Sequence, residues 1–264
     1  MHTTNDLRIT FNKDSEQYNR YRPYYPAELF ECLIKETNIK PGDPLLEIGP
    51  GTGQATEPLA KAGYEITGVE LGANLASKAR QVLAGYPHTK IITGTFEETV
   101  LPPNHFSLIY SATAFHWISQ ENKFAKTARL LKPRGYLAVI YTEHISDEKG
   151  DAFFHASQPL YDRYTNSEPT HTPEAFQLPK GSDLKTPTID TDLFEEKGFY
   201  VFPSTITYSA EDYAGLLSTY SPIIALPSSK RQQFLSGIEQ LIANKFGGSI
   251  RKEIAFTLVI AQKK

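Results

Sequence analysis

The chain has 264 residues, of which 40% are hydrophobic and 22% are charged, and its formal net charge is -3. These values are typical of a globular protein and exclude a fibrous repeat or a largely disordered chain. The slight negative charge argues against a nucleic-acid partner, because binding to a phosphate backbone requires clustered positive charge.

The cysteine content and the lengths of the apolar runs exclude further classes of protein and of metal site. Cys32 is the only cysteine, so we expect neither an intrachain disulfide nor a metal site built from several cysteines. The first residues lack the apolar segment of a signal peptide, and no run approaches the ~20 apolar residues of a membrane span. We therefore expect a soluble, cytoplasmic protein that has no metal and does not enter a membrane.

The predicted elements begin with an aromatic and cationic segment. Residues 14–38 are predicted to form an N-terminal arm and a helix, with Pro26 in the first turn of that helix. Strand and helix patterns then alternate across residues 44–143, with strands at PLLEIG, YEITGVE, TKIITG, FSLIYS and GYLAVIYT. This alternation predicts an α/β fold with a doubly wound, parallel sheet and right-handed crossovers.

The regular alternation ends after Glu143. Residues 145–188 contain one predicted helix, DAFFHASQPLYDRY, and a proline-bearing loop, and we expect them to form a cap insertion. In the C-terminal part, residues 189–264, TDLFEEKGFYVFPSTITY predicts a helix followed by a strand. Substrate-side helices are predicted within residues 210–246, and a β-rich run ends the chain. We interpret residues 1–264 as a single domain.

The segment LLEIGPGTGQAT, residues 45–56, places three glycines directly after a buried strand. A strand, a glycine turn and a helix N-terminus present backbone N–H groups to a polar ligand. A nicotinamide dinucleotide and a ligand of positive character are the two alternatives. The second is favoured, because Gly53 departs from the dinucleotide spacing and Glu47 is poorly placed beside a pyrophosphate.

The same segment resembles motif I of class I S-adenosylmethionine-dependent methyltransferases. Three later segments agree with that family in order: ITGVE, GTFEE and SATAFHW. YNRYRPYYP and GLLSTYSP also resemble the type 11 subgroup similar to trans-aconitate methyltransferase. The resemblance implies a Rossmann-like sheet of about seven strands, mostly parallel with a C-terminal antiparallel strand, and helices on both faces. It also implies methyl transfer from S-adenosyl-L-methionine to a small molecule, with S-adenosyl-L-homocysteine as product.

The resemblance assigns roles in cofactor binding residue by residue. Glu70 is expected to hold the ribose hydroxyls and Phe96 to cover the adenine, while Thr95 stands where relatives commonly carry an acid. The N-terminal arm is expected to close over the cofactor as a lid. The expected cofactor-binding residues are Tyr18, Tyr21, Arg22, Glu47, Gly49, Pro50, Gly51, Thr52, Gly53, Gln54, Glu70, Leu71, Thr95, Phe96, Glu97, Ser111 and Ala112.

The nucleophile of the acceptor decides which further residues the reaction needs. In-line transfer requires the nucleophile about 3–3.5 Å from the methyl carbon, with water excluded. A carboxylate needs only a guanidinium partner, whereas a phenol, amine or carbon acid benefits from a base. The candidate bases are His116, Glu143 and His144. The candidate substrate-binding residues are Arg22, His116, Trp117 and Arg163.

Two other functions remain open at this point. An NAD-dependent oxidoreductase would use a similar sheet, and a non-catalytic S-adenosylmethionine-binding protein would act through a protein partner. Nucleobase N-methylation is disfavoured, because SATAFHW replaces the Asn/Asp-Pro-Pro-aromatic motif that those enzymes carry after the fourth strand. The oligomeric state is not predicted.

Overall fold

A computed structural model describes residues 15–147, 151–165 and 177–264. Asp14 and parts of the predicted cap insertion lie outside these residues. The strands are β1 (Pro44–Ile48), β2 (Glu65–Glu70), β3 (Thr89–Thr93), β4 (Phe106–Ala112), β5 (Leu131–His144), β6 (Phe194–Ser209) and β7 (Ser249–Lys263).

The α-helices lie between these strands and before them. They are α1 (Ser15–Tyr21), α2 (Ala27–Thr37), α3 (Thr56–Lys61), α4 (Ala73–Val82), α5 (Gln120–Leu130), α6 (Ala152–Tyr164), α7 (Ala210–Ser218), α8 (Ser221–Ile224) and α9 (Ser228–Lys245). Two 3-10 helices, Phe115–Trp117 and Gly181–Asp183, complete the regular elements of the described chain. None of the described helices is both long enough and apolar enough to cross a membrane.

The strands form one seven-stranded sheet in the order β3-β2-β1-β4-β5-β7-β6. The pairs β1–β2, β1–β4, β2–β3 and β4–β5 are parallel, and the C-terminal strand is antiparallel. Leu45, Leu46, Leu108 and Ile109 in the central strands are fully buried, as expected where helices cover both faces of a parallel sheet. The predicted fold class is therefore confirmed.

The described chain consists of two compact units. The first unit contains the residues up to Arg22, Glu143–Leu184 and Pro203–Ala255, and the second contains Pro23–Thr142, Lys185–Phe202 and Phe256–Lys264. The core of the first unit is built mainly from α6, α7 and α9, and that of the second from the central strands and their helices. The single domain and its predicted subdivisions stay predictions.

The helix predicted at the start of TDLFEEKGFYVFPSTITY is wrong. Residues 191–193 form a turn and β6 already begins at Phe194. The side chain of Asp190 accepts the backbone N–H groups of Asp192 (3.0 Å) and Leu193 (3.4 Å), which closes the turn. Phe194 is buried in the core of the second unit, so burial of this ring outweighs the local helix preference.

Candidate functional site

The glycine loop of the second unit follows β1 and has a backbone that requires glycine. Gly49, Gly51 and Gly53 have φ values of +71°, +59° and +96°, in the left-handed region. A Cβ atom added to Gly49 would lie 2.5 Å from Cβ of Ala114. The N–H of Gly49 donates to the carbonyl of Val69 at 2.9 Å. The loop is therefore fixed against both β2 and the segment that follows β4.

Glu70, the last residue of β2, holds the glycine loop from the other side. Its Oε2 accepts the N–H of Gly51 at 2.9 Å, and its Oε1 accepts the N–H of Gly72 at 2.8 Å. Burial raises the pKa of Glu70, while the backbone N–H groups of Gly72, Gly51 and Leu71 act against that rise. One carboxylate thus joins the glycine loop to the start of α4.

Glu47 lies in β1, and its carboxyl group is fully buried. Its Oε2 accepts the hydroxyl groups of Thr56 (2.5 Å) and Tyr110 (2.8 Å), whereas its Oε1 has no hydrogen-bond partner in the described chain. Burial raises the pKa of Glu47 to about 7; the two hydroxyl donors lower it, and the charge of Glu70 adds to the rise. Both donors are hydroxyl groups, one at the start of α3 and one in β4.

The segment after β3 has structural contacts of its own. The hydroxyl group of Thr95 accepts the N–H of Glu98 at 3.1 Å, and Oε1 of Glu97 accepts the N–H of Ser119 at 3.3 Å. Phe96 is only 3% exposed, and the ammonium of Lys126 lies 5.1 Å from its ring centroid. The cofactor roles of these residues stay predictions, and the buried Phe96 ring offers little free surface to an adenine.

The segment after β4 begins with polar contacts between strands. The Ser111 hydroxyl donates to the carbonyl of Ile48 at 2.8 Å. Thr113 follows with φ +56°, and its Oγ1 lies 3.2 Å from the Tyr25 hydroxyl and 3.4 Å from Oγ1 of Thr142. Sequence analysis identified Ser111 and Ala112 but missed these three hydroxyl groups, because no motif spacing connects them.

The rings of His116, Trp117 and Tyr141 lie in a tilted stack. The His116 and Trp117 centroids are 4.9 Å apart, and those of His116 and Tyr141 are 6.2 Å apart. His116 is exposed on one side, yet partial desolvation by its neighbours lowers its pKa, and the nearby charge of Lys123 lowers it further. A neutral imidazole at this position is able to accept a proton.

In the first unit, the predicted lid segment contacts the start of the C-terminal helices. Arg22 donates from Nε to Oγ1 of Thr219 (2.9 Å) and from Nη2 to the Thr219 carbonyl (3.0 Å). Its guanidinium lies 5.0 Å from the Tyr18 ring centroid and 4.4 Å from that of Tyr220. YNRYRPYYP and GLLSTYSP, which resemble one subgroup, therefore contact each other. The lid function stays a prediction.

His144 ends β5 in the same unit. Its Nε2 lies 3.2 Å from the Tyr220 hydroxyl, and its buried Nδ1 has no hydrogen-bond partner in the part of the chain that the structure describes. Burial, followed by the charges of Lys252 and Arg22, lowers the pKa of His144 to about 4. This imidazole is therefore neutral at physiological pH.

The remaining candidates, Glu143 and Arg163, are both exposed. Desolvation by its surroundings nevertheless raises the pKa of Glu143. The guanidinium of Arg163 lies 5.2 Å from the ring centroid of Tyr164 at the end of α6. No hydrogen bond, ion pair or ring contact among the described residues brings Glu143 or Arg163 to the cluster in which the Tyr220 ring lies against Arg22 and its hydroxyl lies 3.2 Å from His144.

Comparison with known proteins assigns the class of enzyme. Residues 46–139 match the family model described as a methyltransferase domain. The chain is an S-adenosylmethionine-dependent methyltransferase. An uncharacterized methyltransferase of Mycobacterium tuberculosis is 26% identical to it over 228 residues, 83% of this chain and 90% of the relative. One from Schizosaccharomyces pombe is 25% identical over 239 residues, 88% of this chain and 87% of the relative.

Solved structures share the fold of this methyltransferase. A putative type II methyltransferase from Anaeromyxobacter dehalogenans gives a TM-score of 0.61 at 21% identity, covering 92% of this chain and 97% of its own. A Haemonchus contortus phosphoethanolamine N-methyltransferase, solved with S-adenosylhomocysteine, gives a TM-score of 0.52 at 15% identity. The match covers 100% of this chain and 60% of that one. These two structures show the fold alone, whereas the family model and the sequence relatives confirm the class I methyltransferase resemblance and S-adenosylmethionine as the cofactor.

We predict that Gly49→Ala prevents cofactor binding by the methyltransferase. The added Cβ would collide with Ala114, and φ +71° is unfavourable for alanine. S-adenosylhomocysteine at 100 times its dissociation constant stabilises a native protein by ~2.7 kcal/mol, a rise of about 5–11 °C in unfolding midpoint for a chain of this length. Thermal unfolding should show that rise for the wild type and almost none for the variant.

The matched control for this experiment is Gly85→Ala. A Cβ at Gly85 meets no atom within 4 Å, so this variant should keep the full rise. Circular dichroism shows whether Gly49→Ala is folded before the ligand is added. A folded Gly49→Ala protein with an undiminished rise would contradict the role assigned to the loop.

We also predict that Glu47 makes stability depend on pH. Burial raises the pKa of Glu47 from 4.5 to about 7, so the folded chain keeps this proton to a higher pH than the unfolded chain does. The free energy of unfolding is therefore highest below about pH 4.5 and falls as the pH rises to 7. At ~1.36 kcal/mol per pKa unit, Glu47→Gln should gain about 2–3 kcal/mol relative to the wild type between pH 5 and pH 8. Urea unfolding at both pH values measures this. The exposed Glu31→Gln should parallel the wild type, and parallel curves for Glu47→Gln would refute the assignment.

Proposed function

We propose that this enzyme methylates a small-molecule acceptor that carries an anionic group, and that Arg22 binds that group. The observation that carries the proposal is a guanidinium held between two tyrosine rings without a carboxylate partner in the described chain. The contacts between YNRYRPYYP and GLLSTYSP support the finer resemblance to the trans-aconitate subgroup. The cytoplasmic location stays a prediction.

Residues of the second unit fit the cofactor. Buried oxygens of Glu47 and Thr52 have no partner among the described residues, and the Glu70 carboxylate accepts the backbone N–H groups of Gly72, Gly51 and Leu71, which leaves room for a further donor among its roughly four lone-pair sites. When bound, S-adenosylmethionine supplies a methyl group on a cationic sulfur with a neutral leaving group. We propose that the loop from Gly49 to Gly53 and these acidic groups hold it, so that a cation meets buried carboxyl groups.

The hydrogen-bond geometry of Arg22 leaves room for an oxyanion. The two bonds to Thr219 use the side of the guanidinium formed by Nε and Nη2. The end formed by Nη1 and Nη2 keeps N–H donors that have no partner in the described residues. Such an end matches the two oxygens of a carboxylate or phosphate.

The surroundings of Arg22 favour an anion over a neutral ligand. The other nearby cation, Lys252, has the carboxylates of Asp151 and Asp147 close to it, whereas none of the ion pairs among the described residues involves Arg22. The combined positive charge helps to keep His144 neutral. An anion bound to Arg22 would compensate this charge.

The chain's contribution to catalysis is mainly positioning. Holding the acceptor in line and excluding water supplies ~7–11 kcal/mol of the barrier reduction. If the nucleophile carries a proton, the neutral imidazoles of His116 and His144 and the carboxyl group of Glu143 are our candidate bases. A carboxylate nucleophile needs none of them.

We predict that Arg22→Gln raises the acceptor KM about 10- to 150-fold, because charged hydrogen bonds contribute about 1.5–3 kcal/mol. The assay measures S-adenosylhomocysteine formed from a panel of small carboxylates and phosphate monoesters, each paired with its neutral amide or alcohol. Arg22→Lys should recover only part of the affinity.

The control variant is Arg20→Gln. Arg20 lies on α1, two residues before Arg22; its guanidinium is 4.9 Å from the Tyr21 ring centroid, and it pairs with Glu211 at 3.9 Å. Because Arg20 is exposed and already paired, its loss should change the acceptor KM less than twofold. Equal turnover of the anions and their neutral partners would refute the role of Arg22. Turnover of only a protein or nucleic acid would refute the proposed function.

A further inference from the structure

We infer that Thr113, with the hydroxyl groups of Tyr25 and Thr142, forms a hydrogen-bonding site that positions the acceptor through an uncharged oxygen, a hydroxyl or a carbonyl. The three hydroxyl oxygens form a chain with separations of 3.2 Å and 3.4 Å. This inference rests on the proposed function, because the ligand is the small-molecule acceptor. It concerns an uncharged group of the acceptor and uses residues of the second unit alone.

The backbone of Thr113 is strained. Among the described residues other than glycine, those with positive φ are Asn38, Asn104, Thr113, Arg134 and Asp151. Asparagine and aspartate tolerate this region, whereas a β-branched residue seldom adopts it. The N–H of Thr113 donates to the carbonyl of Ile140 at 2.8 Å, which holds the residue in this conformation. Strain retained at a half-buried polar residue is typical of functional sites.

Thr113 also lies at the correct place in the sheet. In the order β3-β2-β1-β4-β5, the connections reverse direction between β1 and β4. Ligands of such sheets bind outside the carboxyl ends of the strands at that reversal. The glycine loop follows β1, and Thr113 follows β4. The next residue, Ala114, contacts Gly49 of the loop. The hydroxyl chain therefore borders the cofactor site inside the second unit.

The chemistry of the three groups selects the ligand. Tyr25, Thr113 and Thr142 are each half-buried, so their hydroxyl groups are shielded but within reach of a ligand. They are uncharged at neutral pH, and each is able both to donate and to accept a hydrogen bond. An uncharged oxygen satisfies such groups without the desolvation cost of a second charge.

The test distinguishes the effect of the backbone strain at Thr113 from the effect of its hydroxyl group. Thr113→Gly and Thr113→Asn relieve the strain and remove the hydroxyl, whereas Thr113→Ser keeps the hydroxyl. We expect the first two variants to unfold at least ~2 °C higher than the wild type. They should bind S-adenosylhomocysteine within twofold of the wild type and lose at least tenfold in kcat/KM. Thr113→Ser should retain most of the activity. A purely structural role predicts lower stability and no selective loss of rate.

The probes are hydroxy and oxo acids, each paired with the deoxy acid of the same chain length, and the readout is S-adenosylhomocysteine formation. Thr142→Val should lower kcat/KM for the oxygen-bearing acids and not for the deoxy acids. The control is Arg134→Gly, which relieves a φ of +59° at the amino end of β5 and should leave kcat/KM within twofold.

Each outcome decides between the two proposals. If S-adenosylhomocysteine forms and Thr113→Gly and Thr113→Asn keep the wild-type rate, the inference fails and the proposed function stands. If the deoxy acids react as well as their partners, the inference fails in the same way. If no member of the panel is methylated while the cofactor product binds, the proposed function fails and the inference fails with it.

Discussion

The proposed cofactor site depends above all on the hydrogen bonds that the carboxylate of Glu70 accepts. It accepts the N–H of Gly51 in the left-handed loop after β1 and the N–H of Gly72 before α4. Without it, two backbone donors in a largely buried place would lose their acceptor, which costs more than an ordinary hydrogen bond contributes. The loop could then adopt other conformations, because glycine restricts the backbone so little. The hydrogen bonds to Glu70 therefore favour the loop conformation in which Gly49 packs closely against Ala114.

The charges of the two units suit different ligands. In the second unit, Glu47 and Glu70 are buried acids on neighbouring strands, and the charge of Glu70 disfavours ionisation of Glu47. A cationic cofactor relieves that repulsion. In the first unit, Arg22 has no carboxylate partner among the described residues, and its positive charge helps to lower the pKa of His144. The anionic acceptor that we propose would compensate this positive charge, just as the cationic cofactor would compensate the negative charge of the second unit.

Much of the fold could be predicted because the alternation of apolar runs with helical segments is visible within short stretches of sequence. Apolar runs between helical segments indicated the strands of the parallel sheet, and three glycines after β1 indicated the cofactor loop. The helix predicted before β6 failed because burial of Phe194 and a turn closed by Asp190 depend on neighbours that no short window contains. Local preference is weak beside such tertiary contacts.

The residues missed at the site have the same explanation. Tyr110 and Thr56 supply hydroxyl groups to Glu47 from separate elements, and only a tyrosine within an otherwise apolar strand hinted at the first. Thr219 and Thr113 carry no motif. Their importance arises from contacts between residues far apart in sequence, which spacing rules do not detect.

The most direct test of the account is a calorimetric titration of the wild-type protein with S-adenosylmethionine, S-adenosylhomocysteine and NAD in separate experiments. The account predicts saturable binding at one site for both adenosyl ligands and no measurable binding of NAD. Saturable binding of NAD alone would contradict it, because the loop held by Glu70 would then accept a pyrophosphate beside a buried carboxylate.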